Sequence, residues 1–237
     1  MRLIGADLMQ IDALLFDKDG TLFDFSKTWN VWCAGIIHHF AGGDAARAEA
    51  IANAIEFDLR TQTFLPTSPA IAGTNREIAE LISAEVPGSN VDAVDHYIAH
   101  AAATAPLAEA VDLAPFLKAL RAKGLKLGVM TNDTEMGARS HLTHTGVYEL
   151  FDLVLGSDSG HGAKPDAEPL LAFAKHVDIA PERIAMVGDS THDLIAGRAA
   201  GMPTIGVLTG MAGTETLAPY ANVVLDNIGD IPGWLGL

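Results

Sequence analysis

The chain is short of positive charge. Its 237 residues carry 15 Lys and Arg against 30 Asp and Glu, a formal net charge of -15. That balance disfavours nucleic acid or an anionic membrane as the main partner. It also requires that any anionic substrate meet a bound cation or positive charge focused in one cleft. Cysteine is nearly absent. Cys33 stands alone, which excludes an internal disulfide and fits a reducing compartment. No apolar run approaches the roughly 20 residues that span a bilayer, and Asp7 and Asp12 interrupt what would be the apolar core of a secretory leader. There is no internal repeat, no low-complexity tract, and no G-x-G-x-x-G after the first apolar run, which disfavours a dinucleotide-dependent dehydrogenase. The expectation is a soluble, cytoplasmic protein without nucleic-acid or membrane partners.

What is present suffices for a sizeable core: 49% of the residues are hydrophobic, and the length fits one large domain or one domain with a smaller insertion. Short apolar runs at 13–16, 125–130, 153–155, 184–187, 204–208 and 223–225 are bounded by Gly, Asp or Pro. From residue 112 onward, helix-length segments at about 112–123, 134–145, 166–176 and 192–200 separate most of them. Strands alternating with helices predict a parallel sheet covered on both faces. Residues 25–105 read differently, with helices over 29–40, 44–59, 75–86 and 92–104, no convincing strand, and breaks at Gly42-Gly43, Pro66 to Pro69 and Pro87-Gly88. The predicted architecture is a Rossmann-like, doubly wound parallel α/β core, residues 1–24 and 106–237, with a helical cap, 25–105, inserted after the first strand. An insert at that point sits over the carboxyl ends of the strands, where open α/β sheets bind ligands.

Four signals fall at those strand ends. Asp17 and Asp19 follow the first strand and precede Gly20. A carboxylate at the mouth of a buried strand costs desolvation unless a cation or a reaction requires it. Thr131-Asn132-Asp133 follows the 125–130 run, Lys164-Pro165 follows a glycine-rich loop, and Gly188-Asp189 to Asp193 follows the 184–187 run and opens a helix. Each alone has an ordinary explanation: Asp-Gly as a turn, Thr131 to Asp133 and Asp189 as helix caps, Lys164 as a solvated loop lysine. In a parallel sheet they converge, and carboxylates, a hydroxyl beside free N–H groups and one ammonium suit phosphoryl transfer with a divalent metal.

The motifs Asp17-Lys18-Asp19-Gly20-Thr21, Thr131-Asn132, Lys164-Pro165 and Gly188-Asp189 to Asp193, in that order, resemble those of the haloacid dehalogenase-like phosphohydrolases. With the helical insert they resemble the branch holding phosphoglycolate phosphatases and β-phosphoglucomutase. The match covers residues 11–24 and 110–210 well and the insert only in kind. The resemblance implies that Asp17 attacks phosphorus to form an aspartyl-phosphate. Asp19 protonates the leaving oxygen and later takes a proton from water, so it must hold a proton in the first step. Thr131, Asn132 and Lys164 bind the phosphoryl group, and Lys164 also neutralises Asp17. Mg²⁺ is implied as cofactor, on the Asp17 and Asp189 carboxylates and the Asp19 carbonyl, with Asp193 binding it directly or through water.

The implied activity is Mg²⁺-dependent hydrolysis of a small phosphorylated metabolite. A phosphomutase remains open on these motifs. A dehalogenase or a non-catalytic phosphate binder is disfavoured because neither needs Asp19. The cap is expected to set specificity, with Arg60 or Arg76 either available to a substrate anion or on an exposed surface loop, and to move near residues 24–27 and 104–108. After Asp24 the chain continues Phe25-Ser26, departing from the serine that directly follows this aspartate in the phosphoglycolate phosphatases, which leaves the ester open. Trp29 and Trp32 read as cap core or a substrate platform, and His96 and His100 as a solvated face.

Overall fold

The computed structural model describes residues 10–71 and 73–237; the leader reading at Asp7 lies outside them. In chain order the elements are β1 (Ala13–Phe16), α1 (Phe25–Ala41), α2 (Ala45–Ala54), β2 (Phe57–Asp58), β3 (Thr63–Phe64), α3 (Asn75–Ala84), α4 (Val91–Ala102) and α5 (Leu113–Ala122). They continue as β4 (Lys126–Met130), α6 (Glu135–His144), β5 (Leu153–Leu155), α7 (Glu168–Val177), β6 (Ile184–Gly188), α8 (Thr191–Ala199), β7 (Thr204–Val207), α9 (Thr214–Leu217), β8 (Val223–Leu225) and α10 (Ile231–Leu235).

Six strands form one parallel sheet in the order β5-β4-β1-β6-β7-β8. This is the doubly wound α/β architecture expected. All four residues of β1 are buried, and they alternate: Leu14 and Phe16 join a core with Leu117, Leu127 and Val187, while Ala13 and Leu15 join another with Leu170, Phe173 and Met186. Helices cover both faces, so every residue of the strand must be apolar. Burying each large side chain here contributes about 1.5–3 kcal/mol. Register sets the site: Phe16 pairs with Val129 of β4 and Val187 of β6, so the residues that follow these strands emerge at one level.

Residues 25–102 build a separate apolar cluster around Phe25, Trp29, Cys33, Ile37, Ile51, Ile82 and Ile98. The helix expected from Trp29 starts a turn earlier, because Asp24 caps it by accepting the Lys27 N–H at 3.0 Å. The reading of 25–105 as strandless, with a helix over 44–59, is corrected by the structure. The helix α2 stops at Ala54, and β2 and β3 pair antiparallel. Glu56 and Gln62 take left-handed φ of 53° and 55°, and the Asp58 carboxylate holds the turn by accepting from the N–H groups of Arg60 and Thr61. Phe57 and Phe64 then stack edge-on at 5.0 Å in the insert's core, a tertiary contact that overrides local helix preference. Among the described residues no helix is long and apolar enough to cross a membrane.

Candidate active site

Asp17, one residue past β1, donates its N–H to the Val187 carbonyl at 2.8 Å. Its carboxylate is buried. One oxygen accepts from the Lys164 ammonium at 2.5 Å, and the other, Oδ2, is buried without a hydrogen-bond partner. Burial, reinforced by Asp193 and Asp19 and opposed by Lys164, pushes the Asp17 carboxyl up to about 7. Gly20 then turns the chain back at φ 87°, and its N–H reaches the Phe23 carbonyl at 2.7 Å.

Lys164 comes from the loop between β5 and α7 and is held by Asn132, which follows β4. The Asn132 amide accepts the Lys164 N–H at 2.9 Å and donates to its carbonyl at 2.9 Å. The ammonium thus reaches both Asp17 and Asp193, the latter at 2.6 Å. Burial works against its charge, but Asp17 and Asp193 outweigh that and raise its pKa. The Asn132 side chain therefore holds the lysine loop. Thr131 is buried beside it, its hydroxyl accepting the Asp133 N–H at 3.1 Å.

Asp189 and Asp193 lie at the turn from β6 into α8. Asp189 is buried, and burial together with Asp17 and Asp193 raises its pKa well above the ordinary value. Gly210 and Gly20 flank it so closely that a Cβ on either would overlap its carboxylate. Asp193 closes a capping box, accepting from the Ser190 N–H at 3.0 Å and hydroxyl at 2.7 Å with one oxygen and from Lys164 with the other. Oxygens of Asp17, Asp189 and Asp193 lie within 4.8 Å of one another. A hard divalent cation fits this set: the donors are carboxylates, one buried oxygen of Asp17 is unpartnered, and a single lysine faces three acids.

Three further residues escaped the sequence reading. Lys18, between the two key aspartates, is fully buried. Its ammonium donates to Asp19 at 2.8 Å, to Asp133 at 2.9 Å and to His141 Nδ1 at 3.0 Å, and lies 5.3 Å from the Trp29 ring centroid. An ammonium only donates, so His141 Nδ1 accepts and its Nε2–H donates to the Ala102 carbonyl at 2.7 Å. Burial and Lys18 lower the His141 pKa, which keeps the ring neutral. Burial favours the neutral acid at Asp133, but Lys18 prevails and holds its carboxyl below the usual range. Asn75 of the insert completes the group, donating to Asp133 at 3.2 Å. The available signal was Lys18 itself, a cation at the end of a strand buried on both faces.

Asp17, Asp19, Thr131, Asn132, Lys164, Asp189 and Asp193 all line one cavity, so the structure brings every site residue expected from sequence together. Trp29, Trp32, Asn75 and His192 line it too. Arg60 and Arg76 do not; His96 and His100 are exposed on α4.

A family model described as "Haloacid dehalogenase-like hydrolase" matches residues 14–207. The phosphoglycolate phosphatase of Escherichia coli (strain K12) is 36% identical over 126 residues, 53% of this chain and 50% of that protein. The chain thus spans about half the length of the curated relatives it matches. Among solved structures, one from Haemophilus somnus 129PT, described as a predicted phosphoglycolate phosphatase, superposes with a TM-score of 0.72 at 20% identity over 95% of this chain and 98% of that one. A Thermotoga maritima chain ascribed to the β-phosphoglucomutases gives a TM-score of 0.67 at 18% identity over 95% and 99%. At these identities the likeness is one of fold.

Proposed function

The chain belongs to the haloacid dehalogenase-like hydrolases, and from that premise we propose that it is a Mg²⁺-dependent, cytoplasmic phosphatase of a small phosphomonoester, working through an aspartyl-phosphate. The observation that carries the reading is the Lys164 ammonium at 2.5 Å from Asp17, beside an unpartnered oxygen of that carboxylate and with Asp19 on the same cavity wall.

In this reading Asp17 attacks phosphorus and the bond to the ester oxygen breaks, with Asp19 giving that oxygen its proton. Asp19, now a base, takes a proton from water, whose oxygen attacks the aspartyl-phosphate. The alcohol and inorganic phosphate leave, and Asp17 and Asp19 return to their starting states. Lys164 neutralises Asp17 and the transferring group. Thr131 and the backbone through Asn132 hydrogen-bond the phosphoryl oxygens, while the Asn132 side chain holds Lys164 in place. Lys18 donates to one side-chain oxygen of Asp19 at 2.8 Å and positions it. A Mg²⁺ held by Asp17, Asp189 and the Asp19 carbonyl would supply charge neutralisation that one lysine cannot; Asp193, both of whose oxygens accept hydrogen bonds, would meet it through water while fixing Lys164 beside Asp17. We assign residues 1–24 and 106–237 as the catalytic core and 25–105 as a cap that excludes water during transfer. The relatives named for phosphoglycolate hydrolysis support the phosphatase class.

The test is phosphate release from a panel of small phosphomonoesters, with Mg²⁺ or EDTA, for wild type and Asp17→Asn. Release that requires Mg²⁺ and falls to background in Asp17→Asn is expected. Transfer of phosphate to a second sugar hydroxyl instead of water would replace this reading with the mutase.

A further inference from the structure

Besides Ala70 and Gly73, the cap lines the cavity with Phe25, Trp29, Trp32, Ile71, Asn75 and Ile78: aromatic, aliphatic and one amide. The insert from 25 to 105 has four fixed cations in its sequence, Lys27, Arg47, Arg60 and Arg76. Each faces an acid close by in sequence or on the next helix: Lys27 with Asp24, Arg47 with Asp44, Arg60 with Asp58, Arg76 with Glu80 and Asp92. None lines the cavity, and among the described residues Lys164 is its sole lysine or arginine. Five aspartates line the same space, at positions 17, 19, 133, 189 and 193, and the cleft that adjoins it carries Glu77 and Glu80. A second anionic group on the substrate would therefore enter an acidic, partly apolar pocket with no fixed cation left to receive it, since Lys164 is already paired with Asp17 and Asp193.

Two residues of the cap wall carry donors without charge. The indole N–H groups of Trp29 and Trp32, whose rings meet edge-on at 5.1 Å, are buried with no hydrogen-bond partner. A buried donor left unsatisfied costs about 1–3 kcal/mol, and a hydroxyl or carbonyl oxygen of a bound molecule would satisfy it. An indole beside an apolar wall also suits the C–H face of a polyol or a flat ring.

We propose that the ester this site takes has an uncharged leaving alcohol, hydroxyl- or carbonyl-bearing with an apolar face, and that a carboxylate-bearing ester such as phosphoglycolate is a poor substrate. The inference rests on the phosphatase reading and narrows it. It departs from the substrate named for the curated relatives, whose alignment spans half of this chain.

The decisive comparison is 2-hydroxyethyl phosphate against 2-phosphoglycolate, two esters of one skeleton that differ in CH₂OH against carboxylate. With Mg²⁺ and wild type, kcat/KM is expected to favour the hydroxyethyl ester by about tenfold or more, the effect of roughly one unpaired polar contact. Equal rates, or a preference for phosphoglycolate, overturn the proposal. A second arm uses Asp17→Asn with Mg²⁺ and follows tryptophan fluorescence, since two of the chain's three tryptophans line the cavity. Tighter binding of the hydroxyethyl ester supports the proposal even if wild type hydrolyses neither ester, an outcome that would sink the phosphatase reading alone. Tighter binding of phosphoglycolate, or no quenching by either ester at millimolar concentration, overturns it.

Discussion

Lys18 sits where a loop residue is usually solvated, yet no part of it reaches water, and three polar partners and an aromatic ring surround its ammonium. A buried charge of this kind is stable only while its partners remain. Lys18→Met is expected to cost about 3–5 kcal/mol, because Asp133 then keeps its charge in the interior with only uncharged donors, from Asn75 and Thr134. The pH dependence carries a sign. Pairing holds the Asp133 carboxyl below its unfolded value, so the stability it contributes is complete above the ordinary carboxylate range and is lost as pH falls through the folded value. Urea midpoints measured from pH 7 down to pH 3 should show that acid loss in wild type and a flatter profile in Lys18→Met. Equal midpoints at pH 7 would show that the network contributes nothing net.

The strand-to-helix turns do the positioning at the next scale. Asp189 stands at the end of β6 with Gly20 and Gly210 against its carboxylate, from two other segments that reach the same sheet edge. Glycine at 210 is required there for proximity, not for backbone conformation, since a methyl group would occupy the space of the carboxylate. Gly210→Ala is therefore expected to displace Asp189 while leaving the sheet intact. In differential scanning calorimetry Mg²⁺ should raise the wild-type Tm, because a divalent cation offsets three crowded acids, and that rise should shrink in Gly210→Ala. An undiminished rise would mean that Asp189 does not hold the ion. The β2–β3 hairpin shows the limit of reading elements locally. Residues 44–59 are rich in helix formers, but pairing Phe57 with Phe64 depends on a turn in which Asp58 caps two N–H groups and Gln62 is left-handed, with Glu56 left-handed at the entry to β2.

At the scale of the whole molecule the insert rests on the core through few polar contacts: Asn75 on Asp133, the Ala102 and Ala103 carbonyls on His141 and Ser140, and Ser26 on Met211. We expect this seam to open, with residues 24–27 and 104–108 as the hinges. In small-angle scattering, a phosphate analogue with Mg²⁺ is expected to reduce the radius of gyration; superimposable profiles would count against motion of the cap.

The sequence by itself determined the catalytic half. Apolar runs 13–16, 125–130 and 184–187 had to be interior strands, three of the motifs directly follow such a run while Lys164 lies in the loop beyond the 153–155 run, and a parallel sheet aligns its strand ends. Asp17, Asp19, Thr131, Asn132, Lys164, Asp189 and Asp193 were legible for that reason. Which partners they take was decided only by tertiary structure, since side-chain contacts between residues 115 or 123 positions apart leave no local pattern. Lys18, present in the first motif without a role, gained one only from Asp133 and His141. Arg60 and Arg76 read equally as substrate ligands or as an exposed surface until the fold turned them toward acids outside the cavity, leaving two tryptophans and an asparagine among its lining. Chemistry fixed to the sheet edge follows from strand order; the character of the pocket above it follows from how the helices pack.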